Sequence, residues 1–524
     1  MALFEIALIL LFTGALLSAA ARRLSVPYPA LVALAGVGLA LVPNLPRVAL
    51  DPQLALTLFV APVLLDAAFD SSPRDLKENW RELTALALGA VVLTVIAVAM
   101  VARYAVPELS WPAAIALGAI VAPPDAAAAT AVLKQLRPPH RLLVVLEGES
   151  LFNDASALLI YRLALGAVAG ALSGWTALPI SLAAAAGSVL LAAVLSVLAL
   201  ALLDRIRDVA TAVIIQFLST FVVWMLADRL HLSAIITTVV FAILAARHAP
   251  ARTPARLRIP SYAVWEVAVF VLNVLAFILV GLQLKPIVQA LTRHQLVTYA
   301  ATAGAVCATV IVARVLWVVG YTWIGHLVRH RRARTRPAPH SGATFRSAVV
   351  IGWCGMRGIV SLAAALALPA DFPHRDLILF ASFFVVLGTL VLQGGTLSPL
   401  MRLLHLEDDG SVAREVRLAR AETVRAALEE VKHATGADLV LLLRKTYETR
   451  LRRAERAGDP GAPANREGDS AEQYLQAVGR AQAAERRTLI DLRARGVIGD
   501  DAFHRVEEEL DWAELHRESM LRAD

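Results

Sequence analysis

The chain has 524 residues, 58 % hydrophobic and 18 % charged, with a net charge of +7 and a mean hydropathy of +0.63. Soluble globular domains run near roughly 45–50 % apolar and about 25 % charged, so this composition excludes an ordinary soluble globule. The positive balance does not indicate nucleic acid, because the basic residues of the apolar part cluster in loops on one side of the hydrophobic segments, as membrane topology requires.

A crossing helix needs about 20 apolar residues. In chain order, thirteen segments are predicted to span: 3–21, 28–44, 53–70, 83–104, 111–132, 141–168, 177–203, 209–228, 233–247, 262–284, 297–325, 345–369 and 376–402. The first has no basic stretch ahead of it and is followed by Arg22-Arg23, which predicts an uncleaved span. No segment shows the ten-residue alternation of a barrel strand, so the predicted fold class is an all-α polytopic membrane protein. Loops after odd-numbered spans are rich in Arg and Lys (Arg22, Arg23, Arg74, Lys77, Arg81, Lys134, Arg137, Arg141 and many beyond), whereas those after even-numbered spans carry only Arg47, Arg103, Arg229, Lys285, Arg293 and Arg375. That asymmetry predicts an outside N-terminus and a cytoplasmic C-terminus. Residues 1–403 form the predicted transmembrane domain and 404–524 a cytoplasmic helical tail. Its helices are expected at 412–434, 437–457, 470–495 and 500–519, around a linker at 458–469. Cys307 and Cys354 lie in apolar segments without metal-ligand company and read as packing residues.

Two spans carry helix breakers. Span five contains Ala122-Pro123-Pro124-Asp125, and span twelve contains Gly352-Trp353-Cys354-Gly355-Met356-Arg357-Gly358. Paired prolines remove helix hydrogen bonds, and three glycines in seven residues weaken a helix further. The breaks lie seven spans apart, so the two segments run oppositely through the membrane. Spans 1–6 and 8–13 therefore read as inverted-topology repeats joined by span 7, with two discontinuous helices marking an ion site.

Ionisable residues within spans are costly and point to function. The richest run is Glu147-Gly148-Glu149-Ser150-Leu151-Phe152-Asn153-Asp154 at the start of span six. Ser150 and Asp154 share one helical face and suit a hard, partly dehydrated cation. Asn153 and Glu149 share another, which suits a structural ion pair with Arg357 in span twelve. Glu147 reads equally as a solvated helix end. Asp125 fits two roles that are compatible, ion ligand and helix cap. Asp66, near the cytoplasmic edge of span three, is a candidate for lining the ion path. Glu266 and Arg314 are expected in structural pairs, and Arg162 at the outer interface.

The strings GAIVAPPDAAAATAVL (118–133), LEGESLFNDASALLIYR (146–162), VWEVAVFVLNVLAFILVGLQL (264–284) and GWCGMRGIVSLAAALALP (352–369) resemble, in order and in the right spans, bacterial sodium/proton exchangers of the NhaP/NHE type. The resemblance covers about residues 1–403. It implies an inverted-repeat bundle of thirteen helices, a homodimer in the bacterial inner (plasma) membrane, and monovalent cation:proton antiport with no cofactor and no enzymatic step. Carried over, Asp154 binds cation and proton alternately, Ser150 is a cation ligand, and Asp125 and the backbone of Pro124 contribute from the broken span. Glu149 and Arg357 form the structural ion pair, Asn153 holds the site's geometry, and Asp66 matches an acidic position on the cation path. An Asn-Asp pair, in place of two aspartates, implies electroneutral exchange. One departure is that Pro123 stands where many members carry a threonine, which leaves the choice among Na+, Li+ and K+ open. The competing readings are a K+/H+ antiporter and, in another class, a membrane receptor that senses an ion without moving it. An intramembrane enzyme is disfavoured, since no HExxH, protease-type aspartate pair or Ser/His dyad is present in facing spans.

Overall fold

The computed structural model describes residues 2–24, 26–42, 51–136, 138–168, 174–206, 208–333, 345–406, 408–432 and 468–522. All regular structure among them is helical. Among the described residues, nine helices are long and apolar enough to cross a membrane, and Leu8–Ala21, Tyr28–Ala40 and Ala234–Ala249 are shorter apolar helices. The predicted span 111–132 is built as Trp111–Val121 followed by Ala126–Leu136, with a non-helical link at the two prolines. The predicted span 345–369 is likewise built as Phe345–Trp353 and Ile359–Leu366, separated by the glycine-rich stretch 354–358.

Two further irregularities were not expected from the sequence. The span Pro52–Phe69 contains a widened turn at Leu56–Val60, where the Ala61 N–H reaches back to Leu56 O. Pro62 follows at once and has no N–H to give, so the helix meets a missing donor at this point. A second widened turn, Ala85–Ala90, opens the span Trp80–Ala105. Its carbonyls are answered by side chains: Trp317 Nε1 donates to Ala85 O at 2.9 Å, and Ser156 Oγ donates to Ala87 O at 2.6 Å. The bulge thus ties three helices together through two of its carbonyls.

Close helix approach depends on two glycines. A Cβ on Gly36 would sit 2.3 Å from Ile278 O, and one on Gly281 would sit 2.2 Å from Ala33 O. The Tyr28–Ala40 helix and the inner part of Ala255–Leu282 therefore touch backbone to backbone, the small-residue packing typical of membrane helices.

The segment 72–83 is latched to the start of the long helix His140–Val168. His140 Nε2 lies 3.2 Å from Asp75 Oδ2, Arg141 Nε donates to Asn79 Oδ1 at 3.1 Å, and Arg141 Nη2 donates to Glu82 Oε2 at 2.6 Å. Burial raises the Asp75 carboxyl, but the contacts from His140 and Arg74 outweigh it and leave its pKa lowered. A lowered folded pKa means this contribution is present above the ordinary carboxylate value of about 3.9 and fades as pH falls through the folded value. Asp75→Asn is expected to cost about 1.5–3 kcal/mol, the worth of hydrogen bonds to a charged group. Thermal unfolding of the purified protein at pH 7 would register it, and an unchanged midpoint would refute it.

The chain divides into two compact units, Met1–Ala249 with Ala263–Asp409, and Pro250–Tyr262 with Gly410–Asp524. The second holds the helices Ser411–Lys432, Gly468–Ala494 and Asp500–Arg522. Its core is made by Val416, Ala419, Leu489, Leu492, Ile498, Ala502, Phe503 and Val506. The predicted tail helix 437–457 lies outside the described residues. A division at 403/404 leaves residues 250–262 in the membrane part, whereas the structure groups them with the tail.

Candidate functional site

Where a helix stops, its last carbonyls lose their partners. Both interrupted helices answer this with a buried arginine. Arg357 donates from Nε to Val121 O (2.9 Å) and from Nη2 to Ala122 O (3.1 Å), closing the end of Trp111–Val121. Its Nη1 also donates to Gly355 O, and its backbone N–H donates to Thr389 Oγ1 at 3.0 Å. Arg314 does the corresponding work at the other break, donating from Nη2 to Ile351 O at 3.1 Å in the last turn of Phe345–Trp353.

This arrangement corrects one sequence-based expectation. Glu149 pairs with Arg314, not with Arg357: Nη1 lies 2.5 Å from Oε1 and Nη2 lies 2.8 Å from Oε2. Both side chains are almost wholly enclosed, at 2 % and 1 % exposure. Arg357 is fully buried too, but the carbonyls freed by the proline break claim its guanidinium. Two buried arginines were available to one buried glutamate, and the broken backbone decided between them.

The two breaks meet directly. The Asp125 N–H donates to Met356 O at 2.7 Å, while Asp125 Oδ1 accepts from the Ala127 N–H at 2.9 Å and so caps the half-helix Ala126–Leu136. A Cβ built on Gly358 would fall 1.7 Å from Asp125 Oδ2. The Asp125 carboxylate is therefore packed at the N-terminal ends of both second half-helices, where the helix dipoles are positive. Gly358→Ala is expected to displace that carboxylate and, as overpacking of an enclosed site, to cost about 1–3 kcal/mol of stability. An unchanged thermal unfolding midpoint in Gly358→Ala protein would contradict this placement.

The long helix His140–Val168 supplies the rest. Asn153 has no solvent exposure, and its Nδ2 donates to Pro124 O at 3.0 Å, bridging the helix to the proline break. Its Oδ1 is buried and finds no partner among the described residues. Asp154 is 8 % exposed and lies within electrostatic reach of Asp125. Neither aspartate has a Lys, Arg or His partner among the described residues. Ser150, one turn before Asp154, is half-buried. Farther along, Tyr161 Oη donates to Ala364 O at 3.0 Å, fastening this helix to the half-helix Ile359–Leu366.

Asp66 stands apart from this crossing. It is half-buried, within electrostatic reach of Asp70, Lys134, Glu266 and Glu147. Lys134 Nζ lies 3.4 Å from Glu147 Oε1. The structure thus brings Pro124, Asp125, Asn153, Asp154 and Gly358 to the crossing of the breaks and leaves Asp66 in a separate acidic cluster. Sequence reasoning missed Thr389 and Tyr161, for which no local pattern exists. Arg314, an arginine inside a long apolar run, sits in a structural pair as expected, with Glu149 as its partner.

Two enclosed carboxylates, an amide oxygen without a donor and a nearby hydroxyl form an oxygen-rich set with an uncompensated negative charge. Such a set fits a hard monovalent cation or a proton as its occupant. No group of three or more His, Cys, Asp or Glu side chains suited to a resident metal occurs among the described residues.

Comparison with known proteins gives the following. The family described as the transmembrane sodium/hydrogen exchanger matches residues 7–403. An uncharacterized Na(+)/H(+) exchanger of Mycobacterium tuberculosis is 32% identical over 444 residues, 82% of this chain and 80% of that protein. A sodium, potassium, lithium and rubidium/H(+) antiporter of Bacillus pumilus is 29% identical over 461 residues, 82% of this chain and 66% of that protein. Among solved structures, the sodium proton antiporter MjNhaP1 from Methanocaldococcus jannaschii superposes with a TM-score of 0.58. Its sequence identity is 18%, over 77% of this chain and 100% of that chain, a likeness of fold.

Proposed function

The chain belongs to the sodium/hydrogen exchanger family of membrane-spanning cation:proton antiporters, and from that premise we propose that it exchanges Na+ for H+ one for one at Asp154. The family's members are transporters, not enzymes. The observation that carries the proposal is the pair of enclosed carboxylates, Asp125 and Asp154, without a cationic partner at the meeting of two interrupted helices.

Cation and proton compete for one carboxylate. Asp154 loaded with either is close to neutral, whereas Asp154 empty and ionised is an unpaired charge in a dry setting, which is costly. The loaded protein switches between inward- and outward-open forms and the empty one does not, and this couples the two fluxes. Ser150 and Asp125 would complete the cation's oxygen shell, with the backbone of Pro124 beside them. Asn153 is neutral and engaged with Pro124, so a single carboxylate of the Asn153-Asp154 pair titrates, consistent with electroneutral exchange. Asp66, in its acidic cluster, would draw cations towards the cytoplasmic entrance. Thirteen spans as two inverted repeats, an outside N-terminus, a homodimer and the inner membrane of a bacterium complete the reading. Discontinuous spans five and twelve form its moving core.

K+/H+ exchange is the second reading, favoured by the proline at position 123, where a hydroxyl ligand is lost. Everted membrane vesicles carrying the protein, with a pH-sensitive dye and additions of Na+, Li+ or K+, decide between them. Dequenching by Na+ or Li+ at lower concentration than K+ supports the first reading, and the reverse order supports the second. No response to any cation at acidic, neutral or alkaline pH would refute both.

A further inference from the structure

The helix Arg375–Leu404 packs along the second break. Thr389, Gln393 and Thr396 follow one another at spacings of four and three, and so share one helical face. The two threonines fix where that face points. Thr389 Oγ1 accepts from the Arg357 N–H at 3.0 Å, and Thr396 Oγ1 accepts from Trp353 Nε1 at 2.9 Å. Gln393, between them, therefore faces the stretch 353–357. The approach is close, since a Cβ on the neighbouring Gly394 would lie 3.2 Å from Met356 Sδ.

Gln393 has no solvent exposure, yet neither its Nε2 nor its Oε1 finds a partner among the described residues. The threonines cannot donate to it, because their hydroxyls already donate to Val385 O at 2.8 Å and to Leu392 O at 2.6 Å. The Met356 N–H is likewise without an acceptor among the described residues, whereas the N–H groups of Cys354, Gly355 and Arg357 each have one. Enclosed polar groups left unmatched cost their full desolvation, and protein interiors answer such sets with ordered water.

The chemistry of the set selects its ligand. The occupant must donate to Oε1 and accept from N–H groups. A cation could use Oε1 alone, and it would meet the buried guanidinium of Arg357, whose Nη1 donates to Gly355 O. An anion could use the N–H groups alone, and Oε1 would repel it. Water does both.

We propose that the Gln393 amide and the Met356 N–H bind an ordered water inside the bundle, at a site separate from the carboxylates of the crossing. That water bridges the helix Arg375–Leu404 to Met356, whose carbonyl accepts from the Asp125 N–H at 2.7 Å. The site stands whether or not the crossing carries Na+.

The test is X-ray hydroxyl-radical footprinting of the purified full-length protein, read by mass spectrometry. A short pulse makes radicals from water where it is bound, and a methionine sulfur beside that water is oxidised to the sulfoxide. Met356 and Met401 are both enclosed, at 0 % and 3 % exposure, so bulk water reaches neither. Met356 is expected to be oxidised well above Met401 in the wild type. Gln393→Leu, which removes the amide at similar volume, should abolish that excess. Oxidation of Met356 no faster than that of Met401, or an excess that persists in folded Gln393→Leu protein, would overturn the proposal. Should Gln393→Leu fail to fold, the wild-type comparison of the two methionines decides.

Discussion

Asp154→Asn is expected to reduce cation-driven proton movement to the level of vesicles without the protein, while leaving the protein folded. The substitution preserves shape and removes the one group of the Asn153-Asp154 pair proposed to bind a proton and a cation in turn. Stability should hold or rise. Asp154 is 8 % exposed with no cationic partner among the described residues, and replacing an unmatched charge by a neutral amide relieves its desolvation. Flux measured in vesicles and thermal unfolding measured in detergent must therefore diverge: activity gone, midpoint equal or higher. Full exchange by the variant would end the assignment of Asp154. Lost activity with a collapsed midpoint would recast it as structural.

Arg314→Met should show the opposite pattern. It strands Glu149, enclosed at 1 % exposure, and leaves Ile351 O without its donor. Breaking an enclosed pair from one side costs about 3–5 kcal/mol, a large part of a stability of about 5–15 kcal/mol. A marked fall in the unfolding midpoint is expected, with most of it recovered in the double variant Glu149→Leu with Arg314→Met, which removes both charges. Arg357→Met loses backbone caps but strands no carboxylate, so its fall should be smaller and Glu149→Leu should not rescue it. If Glu149→Leu instead rescued Arg357→Met better than Arg314→Met, the observed pairing would be wrong.

What the sequence made legible was local. Pro123-Pro124 and the glycines from 352 to 358 disrupt helices through their own backbone chemistry, and the structure interrupts its helices there. The register of Ser150, Asn153 and Asp154 likewise follows from helical periodicity alone. The partner of Glu149 was not legible, because Arg314 lies 165 positions away and Arg357 is an equally plausible buried cation. Choosing between them required knowing which arginine the broken carbonyls of Val121 and Ala122 would occupy. The placement of 250–262 with the tail was hidden for a similar reason: Arg258 and Asp511 are separated by 253 positions. Neither widened turn has a breaker that demands it, although Pro62 sits beside one.

The arginine-capped breaks also bear on which alkali ion is preferred. An interrupted helix ordinarily offers a passing ion a set of neutral carbonyl oxygens, the weak-field ligands that replace a hydration shell. Here Val121 O, Ala122 O and Gly355 O are engaged by Arg357, Ile351 O by Arg314, Met356 O by the Asp125 N–H and Pro124 O by Asn153. An ion bound at this crossing, as proposed, would meet chiefly carboxylate oxygens, whose field strength is high. High-field anionic ligands repay the larger dehydration cost of small ions, so the preference should run Li+ and Na+ before K+, set by two aspartates and little by the backbone.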